Sequence, residues 1–169
     1  AKVKGPVVIY DFDYYYMGGL IAELLSDQGH SVTIVTPFEN ISPWSFMSNE
    51  LNEIKLRLNE KNIAIYTESR FLSSNNNSMQ IVNRFNGEKS SLEAATIIIV
   101  GTRKPNDSIY DELVQADTPN IKTIMKIGDV DAPGALCHAV YSGRLFAEYF
   151  GQEQPIDHMK LEYPVIQSF

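Results

Sequence analysis

The opening stretch constrains the fold of this chain more than any other part of the sequence. Residues 7–10 form a short apolar run typical of a buried strand, and 31–35 form a β-branched run typical of a second strand. Between them, the apolar residues of 20–25 fall on one helical face, and Gly29 is well placed to end that helix. A strand, a helix and a strand within about 30 residues predict a βαβ unit with parallel strands and a right-handed crossover.

The same patterns continue along the chain. Ser42-Pro43 predicts the start of a helix, with Ser42 as its cap. Residues 63–66 look like a strand that opens a small antiparallel meander over about 63–93, in which 73–78 form a polar turn or loop and Asn86-Gly87 forms a tight hairpin turn. The later predicted elements are a strand over 95–100, a short helix over 108–114, a strand over 124–127, a helix over 134–150 and a tail without a clear period from 152.

Size and charge exclude several kinds of function. The 169 residues, with a mass of 19.0 kDa, are enough for roughly one domain with its own core. A net charge of −7 disfavours proteins that bind nucleic-acid backbones or anionic membranes. No apolar stretch is long enough to cross a bilayer. We therefore expect no nucleic-acid partner and no membrane partner.

The few cysteines and histidines limit the chemistry further. Cys137 is the single cysteine, which excludes an internal disulfide and a cysteine-bound cluster within this chain and indicates a reducing, cytoplasmic compartment. We expect it to be a small core residue. His30, His138 and His158 lack metal-ligand spacing, and the adjacent Cys137 and His138 point in different directions on a helix. The sequence therefore predicts no metal site and no catalytic residue.

The first turn departs from a dinucleotide-binding fingerprint. That fingerprint, G-x-G-x-x-G, needs glycines for a tight turn, for approach of the pyrophosphate and for packing of helix on strand. The usual spacing puts its third glycine at Gly18, which is a candidate cofactor-binding residue, and its other two places on or near Asp13 and Tyr15. Asp11 adds a second carboxylate, and Thr36 stands where an acid would bind the ribose. We expect that dinucleotide binding has been lost here, because carboxylates repel phosphate.

Three motifs carry a resemblance to known proteins. They are a strand–turn–helix with Gly18 at the turn, a strand ending in Gly101-x-Arg103-x-Pro105-Asn106, and a strand ending in Gly128-Asp129 before a helix. This order resembles the back half of the two-dinucleotide-domain flavoprotein disulfide reductases. Residues 10–37 and 128–134 are more similar to the C-terminal region of the trimethylamine dehydrogenase family. That family includes dimethylamine and histamine dehydrogenases and is related to the 2,4-dienoyl-CoA reductases.

The resemblance, which runs over about 7–150, implies a fold and a domain organisation. The fold is an α/β, three-layer, Rossmann-like domain of the FAD/NAD(P)-binding type, with a parallel sheet and a small antiparallel meander. Residues 1–106 would form a degenerate NAD(P)-binding-like domain, inserted into another domain. Residues 107–150 would be the return segment of that FAD- or ADP-binding-like domain, and 151–169 a C-terminal tail.

The resemblance also implies a parent enzyme. Such enzymes begin with a barrel that holds FMN and a cysteine-bound 4Fe–4S cluster. They oxidise amines by N-demethylation or deamination and pass electrons to an electron-transferring flavoprotein. This chain would contact the upstream barrel and the first nucleotide domain of its own parent, within a homo-oligomer. The isolated chain would act as scaffold and hold no cofactor alone.

The predicted site residues follow from the same resemblance. Asp129 would accept hydrogen bonds from a hydroxyl of ADP, or of FAD in the reductases, and Gly128, Asp131 and Ala132 would lie beside it. The start of the next helix, near 133–135, would face the pyrophosphate. Only half of this site could form here, because the opening domain is missing. Asp129 acting as a simple helix cap is the alternative.

Other interpretations stay open. Tyr14, Tyr15 and Tyr16 could fill the vacated groove or dock a partner, or they could simply pack at the corner between strand and helix. Arg103 could pair with a carboxylate at the crossing between the domains, or lie solvated in a turn. The chain could also be a free-standing, non-enzymatic module that binds a partner or nucleotide, or a fragment of an NAD(P)H-dependent dienoyl-CoA reductase-like enzyme.

Overall fold

A computed structural model describes residues 3–116 and 119–151 of the chain. The chain divides into two compact units, Ala1–Thr102 and Arg103–Phe169, called unit 1 and unit 2 below. All seven strands of the described residues lie in unit 1. The tail predicted from 152 and the residue His158 lie outside the described residues.

A four-stranded parallel sheet forms the centre of unit 1. Its strands are β1 (Val7–Asp11), β2 (Val32–Val35), β3 (Ala64–Tyr66) and β7 (Thr96–Val100), in the order β3-β2-β1-β7. Ile9 lies in register with Ile34 on one side and with Ile98 on the other. The predicted parallel βαβ unit is confirmed.

A separate three-stranded antiparallel sheet forms the predicted meander. Its strands are β4 (Ser69–Asn75), β5 (Ser78–Asn83) and β6 (Lys89–Glu93). Two boundaries were predicted wrongly. Residues 64–66 join the parallel sheet, because they pair with β2. The polar stretch 73–78 is mostly strand, because the Asn75 Oδ1 accepts the backbone N–H groups of Asn77 and Ser78 and so closes the turn within two residues.

The hairpin between β5 and β6 contains the predicted Asn-Gly turn, in which Gly87 has a φ of 71°. We expect Gly87→Ala to lower the free energy of unfolding by about 1 kcal/mol, because a side chain strains this left-handed backbone. Gly87→Asn should cost less, since Asn adopts positive φ more readily. Urea unfolding of the two variants checks this. Equal losses would mean that backbone strain is not the cause.

Two helices cover one face of the parallel sheet: α1 (Met17–Asp27) and α2 (Leu51–Glu60). The single helix predicted from Ser42 is wrong. Ser42 has a left-handed φ of 49° and makes no side-chain cap bond, and it is followed by a 3-10 turn over Pro43–Phe46. The Ser45 hydroxyl donates to the Ser42 carbonyl at 2.6 Å and holds that turn, so α2 begins only at Leu51.

The core of unit 1 has two halves, because alternate residues of each strand face opposite sides of the sheet. On the helix side, Ile9 and Ile34 pack with Ala22 and Leu58. On the meander side, a second set of apolar residues fills the space, namely Val8, Val35, Met79, Ile81 and Ala94. Helices, parallel sheet and meander therefore form three layers, as the sequence predicted.

The described part of unit 2 contains two α-helices, α3 (Ser108–Gln115) and α4 (Leu136–Tyr149), both close to their predicted bounds. The strand predicted over 124–127 is wrong. Those residues are not in a regular element, and no other strand is described in unit 2 with which they could pair. A strand needs a neighbour for its hydrogen bonds, whatever its own sequence favours.

The described residues of unit 2 build no core. None of them is buried, and several large apolar side chains face solvent, including Leu136 at 81% and Val140 at 64% exposure. Cys137 is exposed, so its predicted place in a core is wrong. Within the described parts of the chain, no helix combines the length and the apolar character that crossing a membrane requires.

Candidate functional site

The first candidate site lies at the corner where β1 turns into α1. Asp11 is the last residue of β1 and is 2% exposed, and Asp13 is 5% exposed. The backbone N–H of Asp13 donates to the Asp11 Oδ1 at 3.1 Å. The corner therefore brings together two buried carboxylates, both of which the sequence placed near the phosphate-binding turn.

Gly18 lies in the first turn of α1, directly against Asp11. A Cβ atom built on Gly18 would lie 2.1 Å from the Asp11 Oδ2, a distance that no real contact shows. The close approach of helix to strand, which the fingerprint assigns to its third glycine, therefore occurs at Gly18. The side chain that it meets is a carboxylate of this chain, and a cofactor contact at Gly18 stays a prediction.

Burial raises the pKa of the Asp11 carboxyl from 3.8 to about 6. The hydrogen bond from the Asp13 backbone acts in the opposite direction, and the charge of the Asp13 carboxylate raises the pKa further. At neutral pH Asp11 is therefore mainly ionised. Its negative charge lies beside the start of α1, where a dinucleotide-binding domain would hold phosphate.

Four aromatic rings cover this edge of the sheet, and we call Tyr14, Tyr15, Phe38 and Trp44 the aromatic cluster. The Tyr14 ring packs edge-on against Phe38 with centroids 5.2 Å apart, and the Tyr15 ring lies 5.9 Å from Trp44. Tyr16, in contrast, is 48% exposed. Two of the three tyrosines thus pack at the corner, beyond the ends of β1 and β2.

Thr36 follows β2 at the place where a ribose-binding acid would stand. It is 1% exposed, and its Oγ1 accepts the backbone N–H of Phe38 at 3.3 Å. Its hydroxyl is thus part of the turn that positions the aromatic cluster. Carboxylates, rings and a buried threonine make this edge unsuited to pyrophosphate and ribose.

The second candidate site is the turn that leads into α4 in unit 2. Gly128 has a φ of 64°, and its N–H donates to the Ser142 Oγ of α4 at 2.7 Å. The N–H groups of Asp131 and Ala132 both donate to the Gly128 carbonyl, at 3.0 and 2.9 Å. Gly128, Asp129, Asp131 and Ala132, all predicted to bind ADP, therefore share one tight turn.

Asp129 supports this turn directly. Its Oδ1 accepts the N–H of Gly134 at 3.3 Å, and the residue is exposed. The Ala135 N–H donates to the His138 Nδ1 at 3.3 Å, and the Arg103 Nη1 donates to the Gly134 carbonyl at 2.9 Å. Two amides expected to face a pyrophosphate thus already bond to side chains of this chain. His138 caps α4, which sequence reasoning missed because it sought the cap before the helix.

Lys126 and Asp107 form an ion pair at 3.1 Å that the sequence did not indicate. The hydrogen bond from the Lys126 ammonium to the Asp107 carboxylate lowers the pKa of Asp107 and raises the pKa of Lys126. The pair ties the segment before Gly128 to the start of α3. Its residues are 19 apart in sequence, so no local pattern could reveal it. In the described residues, no three His, Cys, Asp or Glu side chains are placed to hold a metal.

Comparison with known proteins gives a family for most of the chain. Residues 1–104 match the family model described as the OYE-like second alpha/beta domain. Dimethylamine dehydrogenase from Hyphomicrobium sp. (strain x) is 23% identical over 175 residues, covering 91% of this chain and 24% of that protein.

Solved structures give the same picture. Histamine dehydrogenase from Rhizobium sp. 4-9 is 29% identical with a TM-score of 0.78, over 88% of this chain and 23% of that one. The 6-hydroxypseudooxynicotine amine oxidase from Pseudomonas geniculata N1 is 27% identical with a TM-score of 0.80, over 86% of this chain and 22% of that one.

The chain thus spans less than a quarter of the length of these relatives. The resemblance to the C-terminal region of the trimethylamine, dimethylamine and histamine dehydrogenases, and the Rossmann-like fold that it implied, are confirmed. The chain belongs to the OYE-like second alpha/beta domain family.

Proposed function

We propose that this chain is the C-terminal nucleotide-domain portion of a flavin-dependent amine dehydrogenase. The observation that carries the proposal is that unit 2 has helices but no buried residue among its described residues. Apolar side chains at 40–80% exposure are a liability for a free-standing domain and are expected where another part of a protein covers them. The match to less than a quarter of each relative supports the same conclusion.

The parent would oxidise an N-methylated or primary amine, as the names of the similar dehydrogenases suggest. FMN and a 4Fe–4S cluster would supply the redox chemistry from the upstream barrel, since this chain has a single cysteine and cannot bind such a cluster by itself. An electron-transferring flavoprotein would take the electrons. We place the parent in the cytoplasm, as a homo-oligomer.

Within that parent, residues 1–106 would be the inserted, degenerate NAD(P)-binding-like domain and serve as scaffold. A dienoyl-CoA reductase-like parent is less well supported, because it needs a nicotinamide site. The edge where such a site would lie carries Asp11, Asp13 and the aromatic cluster. Residues 107–150 would return to the FAD- or ADP-binding-like domain.

The turn at Gly128 would be this chain's half of a structural ADP site. Its chemistry fits a ribose, because the exposed Asp129 carboxylate stands before α4 and can accept hydroxyl hydrogens while one oxygen holds Gly134. Gly128, Asp131 and Ala132 shape the turn around it. ADP supplies no redox chemistry, so this half-site would bind and orient only.

The size of the endogenous protein tests the fragment proposal. An immunoblot of source extract with an antibody to this chain should give a band about four times larger than 19.0 kDa, given the coverage of the relatives. A band at 19.0 kDa alone would overturn the proposal and favour a free-standing module that binds a partner or nucleotide.

The half-site makes a separate prediction about ADP. The isolated 169-residue chain should show no saturable ADP binding by calorimetry, whereas the full-length parent should bind it. In the parent, Asp129→Asn should weaken ADP binding about fivefold, because a charged acceptor is lost while the bond to Gly134 is kept. Asp111→Asn, at an exposed position on α3, is the control and should change nothing. Equal affinities for the two variants would exclude Asp129 as a ligand.

A further inference from the structure

A groove opens in unit 1 between the end of β3 and the inner face of the meander. Its volume is about 320 Å³, at the lower end of the range for small-molecule sites. The lining residues that matter for binding are Tyr66, Thr67, Ile81, Asn83, Glu88 and Ser90. They come from β3 and the loop after it, from β5 and β6, and from the hairpin between β5 and β6, so the groove exists because the meander folds back over the sheet.

The groove has an aromatic side chain at its rim and a core residue behind it. Ile81 is 2% exposed and belongs to the core between meander and sheet. The Tyr66 side chain is 39% exposed. Tyr66 therefore offers a small ligand an accessible ring on the regular strand β3, whereas Ile81 on β5 is almost fully covered by the core.

The charge that lines the groove is negative. Of the described residues that line it, Glu88 alone is charged. Two arginines adjoin lining residues in sequence. Arg70 follows the buried Ser69 and is itself exposed. Arg84 follows Asn83 and is bound elsewhere: its Nη1 donates to the Pro37 carbonyl at 3.0 Å, and its Nε lies 3.2 Å from the Glu68 carboxylate. Lys89 is exposed while Ser90 is half-buried, as the alternation of β6 requires. Anionic ligands are therefore disfavoured and cations favoured.

The polar groups of the groove can still accept and donate hydrogen bonds. Glu88 is exposed, and its Oε2 accepts one bond from the Asn86 amide at 3.3 Å, which leaves further acceptor positions on the carboxylate. Thr67 and Ser90 also line the groove, and their hydroxyl oxygens can accept hydrogen bonds. A ligand with two or three N–H groups would satisfy them.

We propose that this groove binds a small organic ammonium ion. Its nitrogen would donate to the Glu88 carboxylate and the neighbouring hydroxyls, and its apolar or aromatic part would lie against the Tyr66 ring. The proposal does not depend on the proposed function of the parent.

Benzylammonium and benzyl alcohol form the test pair, because they match in size and differ in charge. We expect NMR titration of the 169-residue chain at pH 7.5 to show saturable benzylammonium binding with a Kd of about 1 mM, and no comparable binding of benzyl alcohol. Shifts should be centred on Tyr66, Ile81 and Ser90. Absence of saturation up to tens of millimolar, or equal binding of the alcohol, would overturn the proposal.

Two variants locate the ion. Glu88→Gln should weaken benzylammonium binding about fivefold or more, because it removes the one charged side chain among the described residues that line the groove. Glu93→Gln is the control: it lies on β6 at an exposed position outside the groove and should leave the affinity unchanged. Both positions are exposed, and the NMR spectrum of each variant reports directly that it is folded. Equal affinities for the two variants would contradict a site at Glu88.

Discussion

Replacing Gly18 with alanine will lower the free energy of unfolding of the chain by about 3 kcal/mol, near the upper end for overpacking a buried position. The new Cβ would lie 2.1 Å from the Asp11 Oδ2 and 2.8 Å from the Asp11 Cβ, so side chain and strand must both shift. Both residues are buried. Urea unfolding at pH 7.5, followed by the fluorescence of the single tryptophan, Trp44, measures the effect in unit 1.

The neighbouring glycine provides a matched control. A Cβ on Gly19 meets nothing closer than the Ile54 Cγ2 at 3.8 Å, an ordinary contact. Gly19→Ala should therefore be neutral or stabilising by up to about 1 kcal/mol, the gain in helix propensity. In an Asp11→Gly background, Gly18→Ala should cost less than about 1 kcal/mol, because the side chain that it meets is gone. If Gly18→Ala costs the same with and without the Asp11 side chain, the close approach is not the reason for glycine.

The Gly18 case illustrates what spacing in a sequence can predict. Counting residues placed Gly18 at the turn and Asp13 on the phosphate-binding side of it, and the structure has both at the corner. The apolar periods likewise predicted β1, α1 and β2, because each depends on residues within one turn or one strand of each other. The identity of the group against Gly18 was not predictable, since it depends on how far the Asp11 side chain turns inward.

Elements that depend on distant parts of the chain were the ones predicted wrongly. The pattern of 124–127 favours a strand, yet the described residues of unit 2 offer it no partner strand. The pattern from Ser42 favours a helix, but that residue adopts a left-handed φ and a short 3-10 turn intervenes. In both cases tertiary contacts outweigh the helix or strand preference of the local sequence, and those contacts involve residues far away in the chain.

For the candidate site in unit 2, the sequence predicted which residues take part but not the hydrogen bonds that hold them together. Residues 128–132 are adjacent in sequence, so their meeting in one turn was expected. The hydrogen bonds that shape the turn come from Ser142, His138 and Arg103, which lie up to 31 residues away from the groups they contact. Those partners set which backbone amides are already bonded, and therefore how much of the turn is open to a ligand.

Asp11→Asn will raise the free energy of unfolding at pH 7.5 by about 2 kcal/mol and leave it nearly unchanged near pH 4. The pKa of Asp11 is raised from 3.8 to about 6 in the folded chain, mainly by burial. Between these values the folded state keeps a proton that the unfolded state loses. The free energy of unfolding therefore falls as the pH rises through this window, and it stays lowered above it.

The size of the effect follows from the same pKa difference. Because one pKa unit corresponds to about 1.4 kcal/mol, the shift of the Asp11 pKa to about 6 sets an upper limit of about 3 kcal/mol on the effect. Asparagine has almost the same shape and keeps an oxygen that accepts the Asp13 N–H, but it carries no charge at any pH. The variant therefore removes the cost of burying the charge without opening a cavity.

Urea unfolding of both proteins at several pH values between 4 and 8 measures the difference between them, in which the titration of all other carboxylates cancels. Glu60→Gln is the control, because it removes one carboxylate from an exposed position on α2 and should give a difference that is flat with pH, within about 0.5 kcal/mol. A flat difference for Asp11→Asn as well would show that Asp11 titrates normally in the folded chain. A variant less stable than the parent sequence at pH 7.5 would show that the ionised carboxylate at the first turn of α1 stabilises unit 1, as a bound phosphate does at the same place in dinucleotide-binding domains.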